Sequence, residues 1–231
     1  IHTDHEITSV RKDGERFAIE DSKGRGYDAD RVVFACDATA VLDALESPSW
    51  LQRTLFGKAE YVDDVDPTFA SFIVHSDTSI LPGTHRERIL SGYNTYSEID
   101  QTGALECTFV ISAQNPSLKD KGVPMLVTFN SRRAIEKVQK RIERPHPTHT
   151  VSLRNLIIMS MMRHLQGRDG LYYCGTFTTP EGGHDLSFMS GLVVAHAIGA
   201  DYPFPTEHSE AVADFRLMQK MMLKSGERRP V

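Results

Sequence analysis

The run Leu171-Tyr172-Tyr173-Cys174-Gly175-Thr176, followed after a short interval by Gly182-Gly183-His184-Asp185-Leu186-Ser187-Phe188-Met189-Ser190-Gly191, decides how this chain folds. Its first four residues form a short apolar run of the kind that becomes a buried strand. Gly175 opens a loop that Gly182-Gly183 closes. A helix is expected over about 187–198, with Ser187 as a natural N-cap and the next free N–H groups pointing into the glycine loop with partial positive charge. Such an end suits an anion. Gly191, Ala195 and Gly199 recur at four-residue spacing, so one helix face lacks bulk and the backbone there can approach a neighbour or a ligand. Close packing of helix on sheet accounts for that spacing equally well.

Working outward, Val32-Val33-Phe34-Ala35-Cys36 is a second continuous apolar run, expected to form a central parallel strand buried on both faces. Ahead of it, residues 16–20 alternate with Phe17 and Ile19 on one face, and Asp21-Ser22-Lys23-Gly24 supplies the turn of a hairpin. After it, Val41, Leu42 and Leu45 fit helical spacing, and Ser47-Pro48 offers an N-cap and a first-turn proline for a helix containing Trp50, Leu51 and Leu55. Beyond Gly57 the texture changes to four strand candidates, 69–75, 88–95, 106–112 and 125–130, separated by Pro, Gly and Asn, which predicts an antiparallel sheet. Ile135, Val138 and Ile142 fit a helix weakly, and 138–143 reads equally as a strand. Residues 148–165 place Leu153, Leu156, Ile157, Met161 and Leu165 on a helix ended by Gly167. Val212, Phe215, Met218, Met222 and Leu223 mark an amphipathic helix over 207–224, expected to pack on the chain's own body, with docking on a partner as the alternative.

With 231 residues, of which 40% are hydrophobic, the chain can bury a core of ordinary size. A net charge of −5 with scattered Lys and Arg gives no basic stripe for nucleic-acid phosphates. Cys36, Cys107 and Cys174 each lie in an apolar run and read as buried thiols; no C-x-x-C pair is present, so no metal site is expected. No stretch reaches the ~18 apolar residues of a membrane span, and a cytoplasmic, reduced location is expected. The opening Ile1-His2-Thr3-Asp4, with no Met before it, suggests a fragment, a processed chain or one subunit of a split enzyme.

Leu171-Tyr172-Tyr173-Cys174-Gly175 together with 183–191 resembles the C-terminal flavin motif of amine-oxidase-like FAD proteins, in particular the branch of predicted flavin-containing oxidoreductases associated with cyclopropane fatty-acid synthesis. Residues 28–45 resemble the strand and helix that return to the FAD domain in that family. His75-Ser76-Asp77-Thr78-Ser79-Ile80-Leu81-Pro82 resembles the branch's His, Asp, Pro signature, and Val127-Thr128-Phe129-Asn130 and His146-Pro147 add to the likeness. The resemblance implies an α/β plus antiparallel-sheet protein: 1–60 and 150–204 complete the C-terminal part of a Rossmann-like FAD-binding domain, 61–149 form an inserted substrate-binding sheet, and 205–231 a C-terminal helix and tail. It implies flavin-mediated redox chemistry, or flavin-assisted isomerisation, on a small amine or lipid-like substrate.

By the same resemblance Ile7 meets the adenine, Ala35 lies near the dinucleotide, Gly175 and Thr176 pass the pyrophosphate and ribitol, and Ser187, Phe188 and Met189 lie at a helix start beneath the flavin ring. Thr176 stands where many relatives carry an acid, and His184-Asp185-Leu186-Ser187 stands where the branch usually reads His-Glu-Asp-Gly. His184, beside Asp185, is a candidate proton donor or acceptor, or a loop histidine held by that acid without catalytic duty. His75 and Asn94 are candidates to line a substrate pocket. The sequence contains no G-x-G-x-x-G, the loop that binds a pyrophosphate at the first helix of a Rossmann unit. The chain is therefore expected to need an N-terminal FAD-binding half or a second chain as partner. The rival expectation is a scaffold or interaction subunit that keeps the fold without cofactor; a Ser-His-Asp hydrolase fails for want of a G-x-S-x-G elbow.

Overall fold

The computed structural model describes residues 1–61, 71–92, 95–99, 105–119, 122–129, 131, 133–143, 151–180, 183–204 and 209–225. They divide into two compact units, residues 1–60 with 149–231 and residues 61–148.

In the first unit, β1 (Ile7–Asp13), β2 (Arg16–Asp21) and β3 (Gly26–Ala29) form an antiparallel sheet in chain order. The expected turn after β2 is built on Asp21, 2% exposed, whose carboxylate accepts from the backbone N–H of Lys23 (2.9 Å) and Arg25 (3.0 Å). Tyr27 and His5 complete its shell. Burial alone would raise this carboxyl, but the bonds from Arg25, His5, Tyr27 and Lys23 hold it well below the ordinary carboxylate range.

A second, parallel sheet pairs β4 (Val32–Phe34) with β10 (Leu171–Tyr173), Val32 opposite Leu171 and Phe34 opposite Tyr173. Alternation along β10 sends Leu171 and Tyr173 to one side and Tyr172 to the other. The first side joins Val10, Phe17, Phe34, Val41, Leu55, Phe56, Ile158 and Leu165 in one core. Besides Phe34 of β4 and Leu165, these come from β1, β2 and three helices: α1 (Ala38–Ala44), α2 (Trp50–Phe56) and α6 (Leu153–Met161). Tyr172 joins the second core with Cys174, Val193, Val194, Phe215, Met218 and Met222, contributed by α7 (His184–Ala197) and α8 (Ser209–Met222). The C-terminal helix thus packs on its own body, as its apolar stripe predicts.

Tyr173 is the pivot of the first core. Its ring stacks on Phe34 (5.9 Å) and meets Phe56 edge-on (5.2 Å), contacts worth about 0.5–1.5 kcal/mol each beyond their area. Gln52 donates to its hydroxyl at 2.6 Å. Burial pushes the phenol up to about 12, so it stays neutral.

Several expectations are corrected. The run 32–36 is a strand for three residues only, Val33 is 40% exposed and Cys36 is exposed, because β10 is its one ladder partner among the described residues and the second helical layer does not cover Val33. Cys107 is half-buried; only Cys174 is buried as expected. The cap of α2 is Ser49 rather than Ser47: Ser49 and Gln52 form a reciprocal capping box that the earlier Ser-Pro pair cannot supply. Of the helix expected over 148–165, residues 153–161 are α-helical and a 3-10 turn, Met162–His164, follows.

The second unit is a five-stranded antiparallel sheet in the order β6-β7-β8-β5-β9, made of β5 (Ser71–His75), β6 (Thr95–Ile99), β7 (Leu105–Val110), β8 (Leu126–Phe129) and β9 (Val138–Glu143). Pairing with β5 resolves 138–143 as a strand. The candidate 88–95 is corrected to a helix, α3 (Arg86–Leu90), before β6. Adjacent Ile89 and Leu90 both pack on the cluster of Ile80, Leu81, Val110 and Leu126, which a strand, with its opposed neighbours, does not permit. Two short helices, α4 (Ile111–Gln114) and α5 (Pro116–Lys119), join β7 to β8. No helix among the described residues is long and apolar enough to cross a membrane.

Removing the Tyr173 pivot tests this account of the first core. Tyr173→Leu is expected to lower stability by about 3 kcal/mol, read from urea unfolding, because ring contacts are lost and the buried Gln52 amide loses its acceptor.

Candidate functional site

Because β4 and β10 run parallel in register, their C-terminal ends finish side by side. Cys174 N–H donates to Phe34 C=O at 2.9 Å, which continues the register and brings Ala35 on one strand level with Cys174, the residue before Gly175, on the other. In open α/β sheets this end of the strands is where ligands bind. Ala35 and Cys36 are exposed there, and Gly175 and Thr176 are half-buried.

Gly175 has φ 107° and ψ −174°, a conformation essentially closed to other residues, and a Cβ placed on it would meet nothing within 4 Å. The chain leaves open space beside this backbone. Its polar groups, however, are already committed. Gly175 N–H donates to Ser190 Oγ (2.8 Å), and its C=O accepts from Thr178 N–H (3.0 Å) and Thr178 Oγ (2.7 Å). A ligand passing here would meet the Cα face of Gly175, not its amide. Thr179 repeats the motif on Thr176 C=O, so a 3-10 turn, Thr176–Thr178, is locked by two hydroxyls.

Ser190 was not legible as a functional position. It is completely buried, accepts from Gly175 and donates to Ser187 C=O (2.6 Å), tying the glycine loop to α7. The signals for it were its place inside the resembling stretch 183–191 and a hydroxyl on a largely apolar helix.

The expected helix start is corrected. α7 begins at His184 with Gly183 as its cap, and Ser187 lies one turn inside, donating both its N–H (3.1 Å) and its Oγ (2.8 Å) to Gly183 C=O. A serine that bonds back to a preceding carbonyl extends the helix instead of capping it. Ser187, Phe188 and Met189 therefore stand beyond the first residues of the helix. His184 and Asp185 are both exposed and belong to its first turn, not to a loop. The Asp185 carboxylate leans over Gly183, where an added Cβ would lie 2.7 Å from its oxygen, and places a negative charge at the positive end of the helix. Phe188 is 56% exposed and meets Phe204 edge-on at 6.4 Å. A Cβ on Gly191 would also find open space, so packing within the chain does not require that glycine.

Ile7 opens β1 on the three-stranded sheet, 42% exposed, and is not grouped with these residues. Desolvation, Asp37 and Cys174 raise the Cys36 thiol to about 11, and burial raises that of Cys174, so both thiols at the strand ends stay protonated.

In the second unit His75 is completely buried. Asp77 N–H donates to its Nδ1 (3.2 Å), which leaves the proton on Nε2, directed at Thr128 Oγ (2.8 Å); Thr128 in turn meets Thr108 Oγ (2.8 Å). Burial lowers its pKa against the opposing pull of Asp77 and Glu106. Asp77 itself accepts from Ser79 and from Glu136 N–H. The His, Asp, Pro signature thus assembles a closed polar network inside the sheet. Asn94, like Asn130 and His146, lies outside the described residues.

No protein-family model matches this chain. No curated protein matches it either. Among solved structures it is similar to the crystal structure of reduced UDP-galactopyranose mutase, at 14% identity and TM-score 0.51, over 94% of this chain and 50% of that one. It is also similar to the CLA-producing fatty acid isomerase from P. acnes, at 14% identity and TM-score 0.46, over 83% of this chain and 47% of that one. The chain spans about half the length of these proteins. The likeness to the first is one of fold: a mixed α/β, flavoprotein-like fold.

Two outcomes are expected from these bonds. Ser190→Ala leaves Gly175 N–H without a partner and costs about 1–3 kcal/mol in denaturant unfolding. His75, neutral when folded, stabilises its unit above the ordinary histidine pKa and loses that contribution as pH falls below about 6.5, when the unfolded chain takes up the proton first. The melting temperature of the second unit should decline as pH falls below about 6.5, and His75→Gln should flatten the decline. Asp77, held below its ordinary value, contributes throughout that window and loses its contribution only as pH falls below the ordinary Asp value of about 3.9.

Proposed function

We propose that this chain is the C-terminal part of an FAD-dependent enzyme of amine-oxidase-like type, and that it holds FAD together with an N-terminal half carrying the glycine-rich dinucleotide turn. The observation that carries the reading is the shared end of β4 and β10. There Ala35 lies level with Cys174, next to Gly175, and the positive φ of Gly175 leaves an open face at the place where doubly wound sheets bind ligands. The motif resemblance of 171–191 and the likeness of fold to a mutase solved in a reduced state support it.

Ala35, Gly175 and Thr176 would border the dinucleotide, and Ile7 the adenine. Ser187, Phe188 and Met189, on the first turns of α7, would lie nearest the ring, with the exposed Phe188 offering an apolar surface. The helix start favours negative charge, although Asp185 already occupies part of that field. His184 and Asp185 are the candidates to hold or move a proton; Asn94 and His75 belong to the proposed substrate side, His75 by supporting the sheet from within. When bound, FAD would supply the redox or isomerisation chemistry on a small amine or lipid-like substrate. The Rossmann-like assignment of residues 1–60 and 150–204 and a cytoplasmic location are part of this proposal.

Co-expression with the half bearing the glycine-rich turn is expected to give a yellow complex, whose melting temperature rises with added FAD. A ligand at about 100 times its Kd stabilises the native state by about 2.7 kcal/mol. A colourless complex unmoved by FAD would overturn the flavin reading and favour the scaffold reading.

A further inference from the structure

One face of β1 and β2 is apolar but for a single residue. The register pairs Val10 with Ile19 and Lys12 with Phe17, so alternation sets these four side chains on the same face. Val10 and Phe17 are buried in the first core, and Ile19 packs against it. Lys12 stands where the stripe would carry one more apolar side chain. Its ammonium lies 5.7 Å from the centre of the Phe17 ring and donates to Asp169 C=O at 3.0 Å. Arg11, the next residue back, turns to the opposite face and meets Glu46 at 3.9 Å.

Beside this lysine the core is not filled. A cavity of about 190 Å³ lies between Val10, Phe17, Leu45, Leu165 and Leu171, with the exposed Ser47, Lys12, Arg168 and Asp169 on its solvent side. Gln52, the buried polar side chain on its wall, is already committed to Ser49 N–H and the Tyr173 hydroxyl. The loop before β10 is shaped to close over it: Gly167, Asp169 and Gly170 have φ of 71°, 58° and 87°. A Cβ on Gly170 would lie 3.1 Å from the Phe17 ring and 3.3 Å from Asp30 C=O, so only glycine lets the loop press this closely. The Asp169 carboxylate then stands 4.0 Å from Lys12 Nζ and 3.7 Å from Arg168 Nε. It is one negative charge against two positive ones, and neither approach is within hydrogen-bonding distance. The ammonium and the guanidinium keep donors for a second anion.

We propose that this cavity binds a small monocarboxylate with a compact apolar body. The body lies against Phe17, Leu45 and Leu171, and the carboxylate accepts from Lys12 Nζ and the Arg168 guanidinium. An apolar cavity of about 150 Å³ takes up benzene, so the space suits a body of about six to eight carbons and excludes a long acyl chain. Leu171 opens β10, which puts the cavity by the N-terminal ends of the parallel strands, whereas Gly175 follows their C-terminal ends. It is therefore a site separate from the one proposed for the dinucleotide, and it does not rest on the flavoprotein reading.

Phenylacetate is the probe. Titrated into the 231-residue chain, it is expected to bind with a Kd below about 1 mM, to raise the melting temperature, and to shift the amide NMR signals of Val10, Lys12, Phe17 and Leu45 most. Phenylacetamide, which keeps the body without the charge, and acetate, which keeps the charge without the body, should each bind roughly tenfold more weakly. Lys12→Met retains the aliphatic stem over Phe17 and should weaken phenylacetate by roughly tenfold while leaving phenylacetamide unchanged. Ser47→Trp, at an exposed position on the mouth, should block both ligands without lowering the melting temperature of the free chain. Equal binding of acid and amide, undiminished phenylacetate binding in both variants, or shifts centred on Ala35 and Gly175 would overturn the proposal, as would no binding at about 10 mM.

Discussion

Three residue pairs of parallel strand, from Val32 with Leu171 to Phe34 with Tyr173, hold the larger unit together. They join segments that the other unit separates in the sequence. Their alternation then creates two cores at once, because each residue of β10 must point to one face or the other. Tyr173 organises the first core through Phe34, Phe56 and Gln52, while Tyr172 and Cys174 anchor the second against α7 and α8. The register also aligns Ala35 with Cys174 and so brings it beside Gly175; the candidate site is a consequence of the ladder.

So short a ladder survives because its polar groups are satisfied from outside regular structure. A buried, unpaired N–H or C=O costs about 1–3 kcal/mol, enough to cancel several apolar contacts. Gln166 removes that cost at Tyr173, and Ser190 removes it at Gly175. The smaller unit follows the same rule: the neutral His75 ring, Thr128 and Thr108 form a chain of bonds across β5, β8 and β7, and Asp77 orients the ring from the strand end. In each unit the residues that the resemblance marks are bound up with the fold, which makes stability and site geometry hard to alter separately.

Strong local patterns were legible. The apolar run before Gly175, the hairpin turn on Asp21 and the stripe of Val212, Phe215, Met218 and Met222 each have one physical solution. Patterns with two solutions were not. Ile89 and Leu90 become helical through packing on Leu81 and Val110, and Ser187 is drawn into the helix by Gly183 C=O instead of capping it. Ser190 lies inside the stretch that carries the resemblance, yet nothing local marked its task, since that depends on a glycine fifteen residues earlier in the chain.

From the sequence alone came the parallel strand-loop-helix unit, the antiparallel sheet, the flavoprotein resemblance and the missing glycine-rich turn. Those depend on short-range periodicity and residue chemistry, which the linear order records. Which amides are already committed and where α7 truly begins were decided only in three dimensions. Hydrogen-bond partners such as Gln166 with Tyr173, or Ser190 with Gly175, are chosen by the approach of whole elements, and no local pattern encodes that approach.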